Sequence, residues 1–201
     1  MTTSHRSSSG AMMKLFLSLL FATLLSACAS QPVPDNRAFL SPDTSLLLPA
    51  PLRAQPLYRQ QLLSATSKGG QHQLLTVLEA DGHRLTLVGL TPSGIRLFRL
   101  SYDGERIQTE QLSSLLGGAA LPPVAQVLAD VMLSYWPIAA WQPQLPKGWR
   151  LEDEGMVRRL TDPDGKLVSE IHYRQIAGER EPVRLIQHAF DYQLQMEKLA
   201  P

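Results

Sequence analysis

The sequence predicts an α+β domain that is mainly antiparallel β, its sheet a curved half-barrel wrapping one or more apolar helices. Three observations predict it. Turn signals recur between short segments, at Lys68-Gly69-Gly70, Asp81-Gly82, Thr91-Pro92-Ser93-Gly94, Asp103-Gly104 and Pro163-Asp164-Gly165. Asp-Gly and Gly-Gly pairs between alternating segments are strong short-range hairpin signals. The segments between these turns have strand length and strand alternation. One stretch, LPPVAQVLADVMLSYWPIAAW at 121–141, is apolar with a helical period instead.

The chain opens on a targeting signal. Lys14 precedes an apolar run from Leu15 to Leu25, followed by the small residues Ser26 and Ala27 and then Cys28, the only cysteine of 201 residues. A basic start, a short apolar run and small residues at the cleavage point make a secretory signal, too short for a membrane span. The preceding polar residues add nothing to it, so Met1, Met12 and Met13 all stand as candidate starts. No later segment approaches ~18 continuous apolar residues, which predicts a soluble exported part.

Leu25-Ser26-Ala27-Cys28 resembles the bacterial lipobox. The resemblance implies cleavage before Cys28 and acylation of its thiol and new amine, residues 1–27 being the signal peptide. A thiolate suits that chemistry because it is the nucleophilic form of the side chain. Two or three acyl chains, at ~0.8 kcal/mol per buried CH₂, hold a protein on a bilayer. Ala29 and Ser30 stand where inner-membrane retention typically uses Asp, which implies a periplasm-facing place on the outer membrane. A free cysteine inside an ordinary secretory signal is the alternative.

Residues 28–56 read as a lipidated, Pro-rich tether and irregular chain, with Pro32, Pro34, Pro42, Pro49, Pro51 and Pro56. Such a density of proline excludes a regular helix or a central strand. Ala29 to Asn36 is the tether. Phe39 to Pro56 is irregular chain that packs on the domain through Leu46 to Leu48.

Residues 57–201 form the domain. Strands are expected over 57–66, 72–80, 84–90 and 95–102, with 105–112 continuing the meander. Phe98, Leu100 and Tyr102 face one way and Ile95 and Leu97 the other, so both faces of the central strands bury something. In 121–141 the polar residues Gln126, Asp130 and Ser134 fall i, i+4, i+8, one narrow stripe on an otherwise apolar and mostly buried helix. Pro122-Pro123 suits its first turn and Pro137 ends it. A second strand set follows at 149–162, 166–175 and 182–199. Across the last, Ile186, His188, Phe190, Tyr192, Leu194 and Met196 share one face, and Gln187, Asp191, Gln193 and Gln195 the other.

These parts resemble the LolA/LolB superfamily of periplasmic lipoprotein carriers. More closely, DGHRLTLVGLTPSGIRLFRLSYDG, followed by LPP and a helix ending in YWP, resembles an uncharacterised family of outer-membrane lipoproteins with a LolA/LolB-like fold. Genes of that family often stand near aryl-polyene-type biosynthesis genes. The resemblance covers 55–199 and implies an apolar cavity for acyl chains. The candidate lining is Leu85, Leu87, Phe98, Leu100, Val124, Leu128, Val131 and Phe190. The implied partners are the membrane, through Cys28, a lipid or lipoprotein cargo, and envelope export components. A structural or adaptor lipoprotein whose core is filled by its own helix is the rival reading.

Catalytic and metal signals are weak. No H-E-x-x-H, paired cysteine, G-x-S-x-G or phosphate-cradling loop occurs, so neither an enzyme nor a cofactor is expected. Ser93 sits in a turn for conformational reasons. His188 reads as a core or cavity-rim histidine and His172 as a cross-strand polar partner. Glu152-Asp153-Glu154 reads as a solvated face and Asp162–Gly165 as a hairpin turn. Trp136, Trp141 and Trp149, with Tyr135, read as core packing around the helix end or as an aromatic rim at a cavity mouth. Beyond the signal, 17 basic and 18 acidic residues nearly cancel, which gives no electrostatic ground for nucleic acid.

Overall fold

The structure is a computed structural model and describes residues 36–111 and 124–199. Cys28, the signal peptide and most of the tether lie outside the described residues. Pro34–Pro201 makes one compact unit around a single core cluster, so this segment is expected to fold by itself.

Among the described residues of this unit there are twelve strands and two short helices. Strands β1 (Arg37–Ser41) and β2 (Thr44–Leu47) pair as a hairpin. The irregular chain expected from Phe39 is therefore a hairpin as far as Leu47. Its prolines sit where they do no harm, Pro42 in the turn and Pro49 and Pro51 beyond the last strand residue. Ala38, Leu40, Leu46 and Leu48 face the core, while Phe39 and Leu47 face solvent.

The remaining ten strands make one wholly antiparallel sheet. Its first half is a meander of β3 (Leu57–Ser67), β4 (Gly70–Ala80), β5 (Leu85–Leu90), β6 (Arg96–Tyr102) and β7 (Ile107–Gln111). Its second half is β8 (Arg150–Glu154), β9 (Val157–Thr161), β10 (Leu167–Ile176), β11 (Glu179–Gln187) and β12 (Tyr192–Lys198). The two halves meet where β12 pairs with β3, with Met196 opposite Leu63 and Leu194 opposite Ala65. Edges therefore fall at β7 and β8.

Register fixes which face is inner. Leu57, Ala80, Leu85 and Tyr102 form one cross-strand row, and Leu78, Leu87 and Leu100 the next. All seven are buried. Gly89 stands opposite Phe98, and a Cβ on Gly89 would lie 2.3 Å from the Phe98 ring. Only glycine lets the ring lie flat there.

Helix α1 (Val124–Tyr135) joins the two halves and is followed by the single turn α2 (Ile138–Trp141). Pro137 separates them, as its missing N–H requires. Helix α1 packs on β1, β7 and β11, and α2 on β8.

The expected last strand is two. The chain turns at His188–Asp191 between β11 and β12, with Asp191 at φ 55°. The reversal also corrects the expected faces: Gln187 pairs with Tyr192, Leu185 with Leu194 and Ile186 with Gln193. Leu185 and Gln187, the latter expected on the wet face, are therefore buried on the face of Tyr192, Leu194 and Met196, while Ile186 lies on the other. The segment 149–162 likewise folds as two strands around Gly155-Met156, with Gly155 at φ 60°. On β6, Leu97 is buried, whereas Ile95 lies exposed before the strand begins.

Candidate functional site

The chemistry of this molecule is concentrated where α1 meets the inner face of the sheet. Leu128, Ala129, Met132, Leu133 and Trp136 are buried against the apolar rows of the sheet. The polar stripe is buried too: Gln126, Asp130 and Ser134 are at most 6% exposed. The more open positions, Val127 and Val131, are apolar. The helix thus turns its polar stripe inward, which needs partners for every polar atom.

Asp130 finds them on the returning β11–β12 hairpin. Gln187 donates from Nε2 to Asp130 Oδ1 at 2.7 Å, and the Gln126 amide approaches the same oxygen at 3.4 Å. The Tyr192 hydroxyl donates to Oδ2. Burial pushes the Asp130 carboxyl up to about 6 against the pull of these donors. Tyr192 is raised as well, by burial and by the Asp130 charge. The buried oxygens Gln126 Oε1 and Gln187 Oε1 have no hydrogen-bond partner among the described residues.

At the C-terminal end of α1 the Met132 carbonyl meets the Trp136 N–H, and side chains cap the carbonyls beyond it. A helix leaves four terminal carbonyls without intrahelical donors, and here Pro137 withholds the N–H that Leu133 would otherwise meet. Arg158 Nη1 donates to the carbonyls of Leu133 and Trp136, at 2.7 Å each. Tyr173 donates its hydroxyl to the Ser134 carbonyl at 2.9 Å. Arg53 donates to the Tyr135 carbonyl at 2.6 Å while lying over the Trp136 ring. Two guanidinium groups at this end also oppose the negative pole of the helix.

Arg158 is itself held by Asp153, which accepts from its Nε and Nη2 at 2.9 Å each and from Arg180 at 3.0 Å. Burial would raise the Asp153 carboxyl, but Arg158 and Arg180 hold it below the ordinary range. On the other flank Glu181, 1% exposed, meets Arg59 at 2.8 Å and Lys198 at 2.9 Å. Gln61 donates to the Tyr135 hydroxyl at 2.6 Å beside this cluster. Burial first, and then the Glu181 charge, raises Tyr135.

Of the candidate lining residues, Leu85, Leu87, Phe98, Leu100 and Leu128 meet in one buried cluster, with Val131 half-buried against it. Phe190 does not join them: it sits half-buried in the turn between β11 and β12. The Val124 side chain and Cys28 lie outside the described residues. His188 is exposed in the same turn rather than on an apolar strand face, and only its backbone N–H is engaged, by the Val168 carbonyl. His172 pairs with Glu170 two residues back on its own strand, at 2.5 Å. Trp136 and Trp141 are fully buried core, and Trp149 packs against it. Asp153 and Glu154 face arginines rather than only water. Ser93 bonds Thr91 in the turn, and Asp162 caps the Asp164 and Lys166 amides of the next hairpin.

Sequence reasoning missed Arg158, Arg53 and Tyr173. One signal for Arg158 exists: in LEDEGMVRRL the acids before Gly155 and the arginines after it fall at pairing positions, Asp153 opposite Arg158 and Glu152 opposite Arg159. Among the described residues no cluster of three His, Cys, Asp or Glu could hold a metal ion. No described helix is long and apolar enough to cross a membrane.

The family described as "Protein of unknown function (DUF3261)" matches residues 58–200. No curated protein matches the chain.

Proposed function

Starting from the chain's membership of the DUF3261 family, we propose that it is a lipid-anchored, periplasm-facing protein of the bacterial outer membrane. On this reading it has a LolA/LolB-like half-barrel, binds acyl or lipid-like chains, and assists delivery of a lipidated or glycolipid product. It makes and breaks no bond. The anchor is Cys28, on the strength of Leu25-Ser26-Ala27-Cys28.

One observation carries the architecture. Helix α1 packs on both β7 and β11, which stand six strands apart in the sheet order. A flat sheet would separate them by about 29 Å at ~4.8 Å per strand, whereas the 12-residue α1 is only about 18 Å long at ~1.5 Å per residue. A sheet curled around the helix reconciles the two. In such a half-barrel the inner rows of β4–β6 form one wall and α1 the other. Each methylene buried there stabilises a bound chain by about 0.8 kcal/mol.

A second reading is favoured by a specific observation. Leu85, Leu87 and Leu100 are at most 3% exposed and share one buried cluster with Leu128 of α1, a core already filled by the chain's own side chains, as suits an adaptor that docks a partner. Native mass spectrometry of Pro34–Pro201 recovered from a bacterial periplasm separates the two. Co-purifying lipid, or uptake of a fluorescent fatty acid, supports the carrier; neither would leave the adaptor. Incorporation of labelled palmitate that disappears in Cys28→Ala tests the anchor independently.

A further inference from the structure

The outer face of the sheet, turned away from α1, carries a groove of about 650 Å³ across β3, β12, β11 and β10. One of its strands, β11, holds an extra residue. His172 pairs with Arg184 and Tyr173 with Pro182, so Val183 is an extra residue that interrupts the ladder. A bulge of this kind bends its strand and re-aims side chains, and Pro182, with no N–H to give, fits there. The register places the opposing positions outward as well. Leu62 pairs with Glu197 and Ser64 with Gln195, while the core-facing Leu63 pairs with Met196.

The groove is amphipathic. Leu62, Ile176 and Val183 supply apolar surface, and His172, Arg174 and Arg184 stand over it. Arg174 has no hydrogen-bond or ion-pair partner among the described residues, and Arg184 donates only to the Gln193 amide oxygen, at 2.6 Å. His172 is engaged by Glu170, and Lys198 by Glu179 and Glu181. Glu197 is the one acid in the lining. Two exposed guanidinium groups above an apolar floor, in a volume usual for small-molecule sites, call for a ligand with an anionic head and a short apolar body. Guanidinium recognises carboxylate and phosphate alike through paired N–H donors.

We propose that this groove binds a single-chain anionic amphiphile, its carboxylate or phosphate head on Arg174 and Arg184 and its chain along Leu62, Ile176 and Val183. The proposal rests on the lipid-handling reading only for the class of cargo, and moves the contact from the interior to the outside of the sheet. A head group reached from solvent has only the Arg184–Gln193 contact to displace, whereas entry to the interior must part α1 from the packed core.

The test is calorimetric titration of Pro34–Pro201 with laurate, dodecyl phosphate, dodecanol and dodecyltrimethylammonium, each below its micellar concentration. Laurate and dodecyl phosphate are expected to bind at least tenfold more tightly than the cation and to weaken with salt. Arg174→Glu combined with Arg184→Glu removes this preference and cuts laurate affinity at least tenfold, with an unchanged melting temperature because both side chains are exposed. Comparison of laurate with dodecyl phosphate identifies which head the site takes. Equal laurate binding by wild type and the double variant overturns the groove and leaves the carrier reading standing. Failure of wild type to bind any of the four overturns both.

Discussion

Arg158 reaches across from β9 to the end of α1 and donates to the Trp136 carbonyl at 2.7 Å from a position only 5% exposed. The same nitrogen serves Leu133, whose carbonyl Pro137 would otherwise orphan. One strand residue therefore ends the helix, neutralises its pole and, through Asp153, fixes the edge of the sheet.

Removing it leaves two buried carbonyls and Asp153 short of partners. Breaking a buried charge pair from one side costs about 3–5 kcal/mol. Arg158→Ala is accordingly expected to lose stability in that range by urea denaturation. Asp153→Asn should lose less, because the helix carbonyls keep their donor. Equal losses from the two would show that the ion pair, and not the cap, is what matters.

Asp130 gives the fold a pH dependence of unusual sign for a carboxylate. Its native value is raised from 3.8 to about 6, so the folded state holds this proton more tightly than the unfolded chain does. The associated stability is complete below about pH 3.8 and is lost as pH rises through about 6, amounting to about 3 kcal/mol at ~1.4 kcal/mol per pH decade. Asp153, Glu170 and Glu179, held below their ordinary values, act in the opposite direction. The difference between wild type and Asp130→Asn isolates the effect. The variant should gain on wild type by about 3 kcal/mol between pH 4 and 7, since rotating the Gln187 amide would present its unpaired oxygen to the new Asn N–H₂. A stability difference that stays flat across that window would refute the shift.

The strands were legible because turns and period-2 patterning are local properties of the chain. Every Gly-bearing turn from Gly70 to Gly104 falls where the residues place it, and so does the helix between Pro123 and Pro137. Reversals without a strong turn pair were not legible: Asp191 takes the left-handed turn conformation that glycine usually supplies. The hairpin of β1 and β2 was obscured by flanking prolines, although its alternating Ala38, Leu40, Leu46 and Leu48 were available. The caps of α1 were invisible for a different reason. Arg53, Arg158 and Tyr173 reach the helix end from three separate strands or segments, and no periodicity encodes a contact 82 residues apart, the separation of Arg53 from Tyr135.

Tyr102 anchors the first hairpin to the sheet. Its fully buried hydroxyl lies 3.1 Å from the carbonyls of Leu48 and Gly104, and Asn36 Nδ2 approaches it at 3.4 Å. Tyr102→Phe takes this donor from the Leu48 carbonyl, while Asn36 Nδ2 and the Gly104 carbonyl keep each other at 3.2 Å, and should cost about 1–3 kcal/mol. Hydrogen exchange should locate the loss in β1 and β2, with β10 and β11 unaffected. Uniform loss of protection would mean instead that the hairpin and the sheet unfold as one.

Gly89 and Phe98 give the sharpest steric prediction. The missing Cβ would fall 2.3 Å from one ring carbon and 2.4 Å from the next, far inside contact distance. Phe98 is 6% exposed, so the ring cannot swing away without displacing its core neighbours. Gly89 has an ordinary negative-side backbone, unlike Gly82 and Gly94 on the flanking turns, so an alanine there meets a clash and no conformational strain. Overpacking of this kind costs about 1–3 kcal/mol. Gly89→Ala should therefore lower the denaturation midpoint, and Phe98→Leu, which vacates the space over Gly89, should absorb much of the cost. The double variant is expected to lose less than the sum of the single ones, with a coupling of about 0.5–3 kcal/mol. Additive losses would show that the ring and the glycine do not share that space.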